Sequence, residues 1–598
     1  MKKIFLIILA VIGLFVVIYP RFYHLGSQPP GLHIDEVSFA ADAKAIAETG
    51  RDTWNKPWPL VFKAFGEWKA PGLTYSMAFW SLMLGKMDSV VARLPSAIAG
   101  LVILVILGMT LRLLLGKSAL PSILFTVFVL AFSPWHFDMS RIFYEAFSAL
   151  AIFSIFLYFM AKQTIDEKYN LKTLLVAVAF AALAGYWYAS IRYVVILSVV
   201  LFVAVQQWGL KLKLKTIFIA MVTLFVVGFG WVGDLVSDRG LNRLYYYQEK
   251  AAYGASLEID EKRQYCYLST DRNDKLSKLC YLIWNKPVQK VTTAAKTYLT
   301  YLGSDYLFVK AESEFGFDSE YGAYLFPLLP LYIVGLFILL SSTVSYLSSV
   351  LKKSTKSSAR DRVYAALAAV ALISLAPAAV AGNINMRMSM VALYIVAITI
   401  GIGCEATYRY LSTHVKKYLF IAILIVYSGV LSFYIIQSIS HYFLVFTHSN
   451  DLQWTSDAPQ IFEYIKSISK DYDRIVDTEL HGPLAPYFYG DISTEDVQKG
   501  EYSTPDAIGF TYLIKAGKYE LKHTAVKDLA CEKLSNNDKR RTLVITTPVS
   551  DLASTRKYAA MSWSQALLLH EIYDLDDIIK HEISGNANFA IRCKPKAL

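Results

Sequence analysis

Two adjacent carboxylates, Asp35 and Glu36, stand in the stretch Gly31–Asp42, directly after the first apolar segment of the chain. A carboxylate placed where a chain leaves a membrane and meets water is a candidate general base, able to take a proton from an attacking hydroxyl. A turn or helix cap followed by the acidic start of an amphipathic helix explains the same pair without chemistry. Acids, cations and rings recur just beyond it: Lys56, Lys63, Glu67 and Lys69, then Arg93, then His136, Asp138, Arg141 and Glu145. Cations suit an anionic leaving group such as phosphate in a water-poor site. Trp54, Trp58, Trp68 and Trp135 offer faces to a sugar, or anchors at a membrane–water boundary, which is the commoner use of such rings.

The elements that must carry these residues are membrane helices. The 598 residues are 55% hydrophobic and 14% aromatic with only 18% charged, and the mean hydropathy of +0.39 places the chain outside ordinary soluble proteins. The net charge of +11 collects as Lys and Arg clusters between apolar segments, the pattern of the positive-inside rule rather than of a nucleic-acid-binding face. Met1-Lys2-Lys3 precedes an apolar run to Ile18, and Tyr19-Pro20-Arg21-Phe22 follows in place of a small-x-small cleavage site. Residues 4–20 therefore read as an uncleaved first transmembrane helix with a cytoplasmic N-terminus. Ten further spans are expected near 90–112, 118–134, 144–162, 172–190, 193–210, 216–236, 321–350, 363–381, 387–406 and 418–441. The basic clusters at 112–117, 162–172, 211–215, 352–362 and 409–417 then all fall on one side. Leu73–Leu84 is apolar but short, and reads as an interfacial or re-entrant helix.

This predicts a polytopic α-helical membrane protein of about eleven transmembrane helices with an extracytoplasmic C-terminal α/β domain. The membrane domain is expected over 1–449, with outer loops at about 21–89 and 237–320, and the soluble domain over 450–598. In the latter, Arg474–Asp477 and Thr542–Thr547 read as strands, and Ala458–Ile468 and Trp563–Leu569 as helices. Cys266 with Cys280 and Cys531 with Cys593 form two outer pairs that permit disulfides in an oxidising compartment, and their spacing does not match a zinc ribbon. The run Asn285–Tyr301 opens with a helix-start proline and mixes apolar and basic positions at helical spacing, as a surface helix lying on the membrane would. Tyr245-Tyr246-Tyr247 reads as interfacial packing, and Asp305 and Glu312 take no ranked role.

Four segments in order carry a resemblance: Asp35-Glu36 after the first helix, Lys69–Tyr75 (KAPGLTY), Ala92–Gly100 (ARLPSAIAG) and Ser133–Arg141 (SPWHFDMSR). Together they resemble the dolichyl-phosphate-mannose protein mannosyltransferase and aminoarabinose transferase family, membrane glycosyltransferases of the C-type superfamily. The likeness covers the first 200 residues and extends weakly through Ala376–Arg387. It implies inverting transfer of one sugar from a polyprenyl-phosphate carrier to an acceptor on the outer face of the plasma, or inner, membrane. It further implies Asp35 as the base, Glu36 as a supporting acid, and Lys69, Arg141 and Arg387 near the carrier phosphate, with Glu67, Arg93, His136, Asp138 and Glu145 around the substrates. Ala70 stands where the family has the first proline of Lys-Pro-Pro, so the loop there departs from the pattern.

Each residue also has a plainer reading. Lys69 and Arg141 pair with Glu67 or Glu145, Arg93 pairs with Asp88, His136 is a hydrogen-bonded interface residue, and Arg387 snorkels from a helix end. The implied partners are a lipid-linked sugar donor, a protein, lipid or glycan acceptor and the bilayer, with no nucleic acid. The acids could hold a divalent cation, but the cations neutralise a phosphate without one, and the metal-free reading is favoured, with no other cofactor. A transporter would show midplane charges and two related halves, and neither stands out. An oligosaccharyltransferase-like or ligase-like enzyme would carry a Trp-Trp-Asp-type signature, which Trp454–Asp457 does not match convincingly.

Overall fold

The computed structural model describes residues 2–65, 67–167, 170–210, 214–237, 257–268, 275–311, 320–352, 357–382, 384–446, 454–478, 484–505, 511–561, 568–585 and 593. Its contacts gather into two compact units, one formed by residues 1–23 and 96–442 and the other by 24–95 and 443–598. The expected features at Tyr245–Tyr247, at Glu312 and over 562–567 lie outside the described residues.

The first unit is a set of apolar helices: α1 (Lys2–Phe22), the greater part of α4 (Ser89–Leu115), α5 (Leu120–Ala131), the short α6 (Pro134–Met139), α7 (Glu145–Ile165), α8 (Leu171–Ala184), α9 (Ile191–Leu210) and α10 (Leu214–Val232). After α11 (257–268) come α12 (Lys275–Ile283), α13 (Lys286–Leu302), α14 (Leu329–Leu351), α15 (Ala359–Ala381), α16 (Met386–His414) and α17 (Lys417–His441). Among the described residues seven helical stretches are long and apolar enough to cross a bilayer, and four shorter apolar ones fall at 11–22, 117–131, 171–184 and 191–206. Each of the eleven expected spans thus meets a helix, and the chain is a multi-pass membrane protein.

Helix α14 packs against α16 at two glycines, where backbone meets backbone. A Cβ at Gly335 would lie 1.9 Å from the Thr399 carbonyl oxygen, and one at Gly403 would lie 1.9 Å from that of Leu331. Only residues without a side chain permit this approach, the small-residue packing that membrane helices use in place of a hydrophobic driving force. Cys266 and Cys280 are bonded, tying α11 to α12.

The second unit combines the 24–95 segment with the C-terminal residues. It holds α2 (Ile34–Thr49), the hairpin β1 (Phe62–Ala64) and β2 (Glu67–Lys69), and α3 (Pro71–Leu84), the short helix expected at 73–84. Its main sheet contains β3 (Arg474–Asp477), β4 (Glu501–Tyr502), β5 (Leu513–Ala516), β6 (Tyr519–Leu521), β7 (Thr542–Thr546), β8 (Arg556–Met561) and β9 (Leu568–Asp574) in the order β4-β5-β6-β3-β7-β9-β8. Strand β3 runs parallel to both β6 and β7, and both β3 and β7 are buried along their whole length, with Ile475-Val476 and Leu543-Val544-Ile545 at their centres as a covered sheet requires. Helix α18 (Ala458–Ile468) forms as the sequence predicts. Leu568 and Leu569, expected at the end of a helix, instead open β9, where antiparallel pairing with β7 and β8 overrides local helical preference. Cys531 and Cys593 are bonded, beside a core that includes Val476, Val544, Leu529 and Ile578.

Candidate active site

Helix α2 presents Asp35 and Glu36 on its first turn, and the local sequence explains why a helix starts there. His33 is the N-cap: its Nδ1 accepts a hydrogen bond from the Asp35 backbone N–H at 3.2 Å, while Glu36 Oε2 accepts from the His33 N–H at 2.9 Å. This reciprocal arrangement is a capping box with histidine in the place of serine or threonine. The helix stops at Gly50, whose φ of 70° lies in the left-handed region that favours glycine. In between, an alanine-rich sequence buries almost every residue from Glu36 to Ile46.

Glu36 and Asp35 have different surroundings. Arg93, fully buried near the start of α4, donates Nε–H to Glu36 Oε1 and Nη2–H to Oε2, each at 3.0 Å. The same guanidinium donates to the carbonyls of Leu25, Pro29 and Gly31 at 3.1, 2.8 and 2.7 Å. Arg93 therefore pairs with Glu36 and not with Asp88, which instead lies 2.6 Å from Lys86. Asp35 keeps 37% of its side chain exposed, and among the described residues its one contact with an ionisable group is His33 Nδ1 at 3.8 Å. Of the acidic pair, Glu36 is tied into the fold and Asp35 faces out.

Lys69, at the end of β2, is buried against α2. Its ammonium donates to Asp42 Oδ2 at 2.6 Å, to Ser38 Oγ at 2.9 Å and to the Ser38 carbonyl at 3.0 Å, which uses all three of its N–H donors. Its partner is thus Asp42, two turns along α2 from Asp35, rather than the neighbouring Glu67, whose side chain is not among those described. Asp42 Oδ1 accepts from the Thr53 hydroxyl and N–H at 2.7 and 3.2 Å, drawing in the following loop. Sequence reasoning gave Asp42 no role, although its spacing from Glu36 puts both acids on buried sides of one helix.

The C-terminal part of the unit holds the same helix. Lys44 Nζ donates to the Tyr487 carbonyl at 3.0 Å, Gln498 Nε2 to Thr49 Oγ1 at 2.9 Å, Thr455 Oγ1 to the Leu32 carbonyl at 2.8 Å, and the Thr494 hydroxyl to Glu48. Trp454 is buried with its ring edge-on to His33 at 6.2 Å between centroids and 5.7 Å from the Arg93 guanidinium. No protein-family model matches the chain. No curated protein matches it either. Among solved structures it is similar to ArnT from Cupriavidus metallidurans bound to undecaprenyl phosphate, at 14% identity and a TM-score of 0.45 over 95% of this chain and 98% of that one. It is also similar to the apo form of the Archaeoglobus fulgidus oligosaccharyltransferase, at 12% identity and a TM-score of 0.47 over 90% of this chain and 69% of that one. Superpositions this loose assign nothing, so the chemistry has to be argued from the chain's own residues.

The remaining candidates belong to the first unit. Arg141 is fully buried after α6; it donates to the Tyr23 carbonyl at 2.8 Å and to that of Pro20, and lies over the rings of Phe137 and Tyr442. Its guanidinium thus holds the C-terminal end of α1. His136 is fully buried with Nδ1 3.1 Å from Arg21 Nη2, and burial, aided by the Arg21 charge, pushes it well below the usual imidazole range. It is a neutral acceptor inside the fold. Asp138 is buried on α6, and Glu145 opens α7 half-buried, where a carboxylate favours a helix N-terminus.

Arg387 lies at the start of α16, 9% exposed, with Nε donating to Asn385 Oδ1 at 3.3 Å and its guanidinium 5.6 Å from the Tyr144 ring centroid. It lines a small cavity of about 20 Å³ that shares Ser190, Val194, Pro377 and Met388 with a larger one of about 320 Å³. The larger cavity is walled mainly by apolar groups such as Leu197, Ile373 and Val380, with Arg192 and Asp234 3.7 Å apart on its lining. Sequence reasoning did not single out that pair. Among the described residues no three His, Cys, Asp or Glu side chains gather as a metal site would require.

Proposed function

We propose that this protein is a membrane glycosyltransferase that moves one sugar, with inversion, from a polyprenyl-phosphate donor to a hydroxyl acceptor on the extracytoplasmic side, with Asp35 as the base. The observation that carries the reading is the division of labour in the acidic pair: Glu36 is consumed by Arg93 and the capping box, whereas Asp35 is left with an exposed carboxylate on a rigidly held helix. A base needs that combination of access and fixed direction. Asp35 takes the proton of the acceptor hydroxyl as its oxygen attacks the anomeric carbon from the face opposite the phosphate. The carbon–oxygen bond to phosphate breaks, and the electron pair leaves with the carrier.

The leaving phosphate requires positive charge, and Arg387 suits it: it is nearly buried and lines a small cavity that shares four residues with a larger apolar one. An isoprenoid chain suits the apolar walls of the larger cavity, and the Arg387 charge beside it suits a phosphate. Lys69, whose three donors are taken up inside the protein, and Arg141, fully buried on the carbonyls of Pro20 and Tyr23, enter as positioning residues. Should a divalent cation take part, Asp35 alone of the pair is placed to ligate it, because both Glu36 oxygens already accept from Arg93. The acceptor is a protein hydroxyl, a lipid or a cell-envelope glycan, and the membrane is the plasma membrane, with the 450–598 segment outside.

Purified protein in proteoliposomes, given a panel of polyprenyl-phosphate sugars, is expected to release the lipid phosphate and add one sugar to an acceptor, read by mass spectrometry. Asp35→Asn is expected to remove that activity, a loss on the order of 10²-fold or more, without changing expression or thermal midpoint. Full activity of this variant would reject Asp35 as the base.

A further inference from the structure

The helices between α10 and α14 carry a surface that sugar transfer does not account for. On α13 the positions Val288, Val291, Ala295, Leu299 and Leu302 recur at helical spacing and are all exposed, Val291 at 70% and Leu299 at 65%. The opposite side of α13 carries Thr297 and Tyr301, which are buried against the unit. An apolar stripe turned away from the protein body is stable only if something other than water covers it. Helix α12 adds Leu279, Leu282 and Ile283 to the exposed apolar surface.

Two observations identify the cover. The Tyr298 hydroxyl donates to the Leu372 carbonyl at 2.9 Å, and Leu372 lies nine residues before the end of α15 at Ala381. At a rise of about 1.5 Å per residue that contact sits roughly 14 Å along the span from its end. Helix α13 therefore packs against the side of α15 rather than beyond its end, beside a span whose own apolar groups are exposed, such as Leu372 at 46%. The second observation is charge. Residues 275–302 contain Lys275, Lys278, Lys286, Lys290 and Lys296 and no Asp or Glu.

We propose that α12, which a disulfide ties to α11, and α13 form an amphipathic anchor seated in the headgroup layer of the bilayer, on the face where α10 ends and α14 begins, with its lysines selecting anionic phospholipids. Apolar burial supplies the insertion and the cationic run supplies the lipid preference. The proposal does not depend on the sugar-transfer reading.

The test uses the full-length chain in vesicles of phosphatidylcholine with or without phosphatidylglycerol. Spin labels at Val291→Cys and Leu299→Cys in a Cys404→Ala background are expected to meet oxygen more often than a water-soluble nickel chelate. A control label at Lys580, 79% exposed in the other unit, is expected to show the reverse. Photoactivatable phosphatidylglycerol is expected to cross-link the 275–302 peptide in preference to phosphatidylcholine. That preference is expected to fall on the order of tenfold in Lys286→Gln/Lys290→Gln/Lys296→Gln. Chelate access at Val291 and Leu299 equal to that at Lys580 overturns the seating, and a lipid preference unchanged in the triple variant overturns the selectivity.

Discussion

Arg93 closes on Glu36 through two parallel hydrogen bonds of 3.0 Å, with both side chains buried, and its remaining donors collect three carbonyls from the 25–31 segment. The pair fixes the N-terminal end of α2, where Asp35 sits, against the start of α4. Its geometry is the forked guanidinium–carboxylate match that a lysine cannot reproduce.

Removing one partner leaves an uncompensated buried charge, a loss of about 3–5 kcal/mol. Arg93→Met is therefore expected to lower the apparent thermal midpoint sharply, and Glu36→Gln to do so less, because an amide still accepts one of the two bonds. Arg93→Lys is expected to resemble Arg93→Met more than the wild type. A thermal midpoint unchanged in Arg93→Met contradicts this account.

Lys69 and Asp42 allow a sharper separation of roles. A positioning lysine is missed because its carboxylate partner is left alone, so Lys69→Met is expected to destabilise the protein and Lys69→Met/Asp42→Asn to recover part of the loss. A phosphate-binding lysine behaves otherwise: the single variant raises KM for the donor, and the second change restores nothing. Midpoints and donor KM measured on the three proteins distinguish the two.

The sequence carried the helices further than it carried the site. Spans such as Ser89–Leu115 and Met386–His414 announce themselves through length and apolarity, which the bilayer requires of any crossing helix. β9 did not, because Leu568–Asp574 becomes a strand through pairing with β7 and β8 rather than through its own pattern. At the candidate site, the residue types of Asp35, Glu36, Lys69 and Arg93 were all visible, but their partners were not. Arg93 reaches back 57 residues to Glu36, and Lys69 reaches back 27 to Asp42. Contacts at such separation come from how α2 packs, and no local spacing encodes them.

Arg387 is the cation to test for the donor. With a charge-assisted bond to phosphate worth about 1.5–3 kcal/mol, Arg387→Gln is expected to lower kcat/KM for the donor by roughly 10–150-fold. Adding Leu197→Trp, which narrows the apolar cavity without touching Arg387, is expected to raise the donor KM again while leaving the pH profile alone. Equal kcat/KM in Arg387→Gln and wild type removes this residue from the mechanism.

Asp52 gives the pH prediction. It is fully buried, its Oδ1 accepts from the Trp54 and Lys56 N–H groups at 3.0 and 2.8 Å, and burial, followed in smaller part by the Asp42 charge, pushes its carboxyl above the usual range against the pull of those bonds. A carboxyl whose pKa is raised by folding binds its proton more tightly in the native state. Its contribution is thus most favourable in acid and is lost as pH climbs from the unfolded value, about 3.9, through the raised native one. Asp52→Asn keeps the Oδ1 acceptor and has no charge to bury. The variant is expected to unfold at a higher temperature than wild type at neutral pH, with the gap closing as the pH falls through the raised native value and gone once it reaches the unfolded one, about 3.9. Thermal unfolding across pH 3.5–8 measures it, and a gap that widens toward acid would show that the Asp52 carboxylate is stabilised, not strained, by its site.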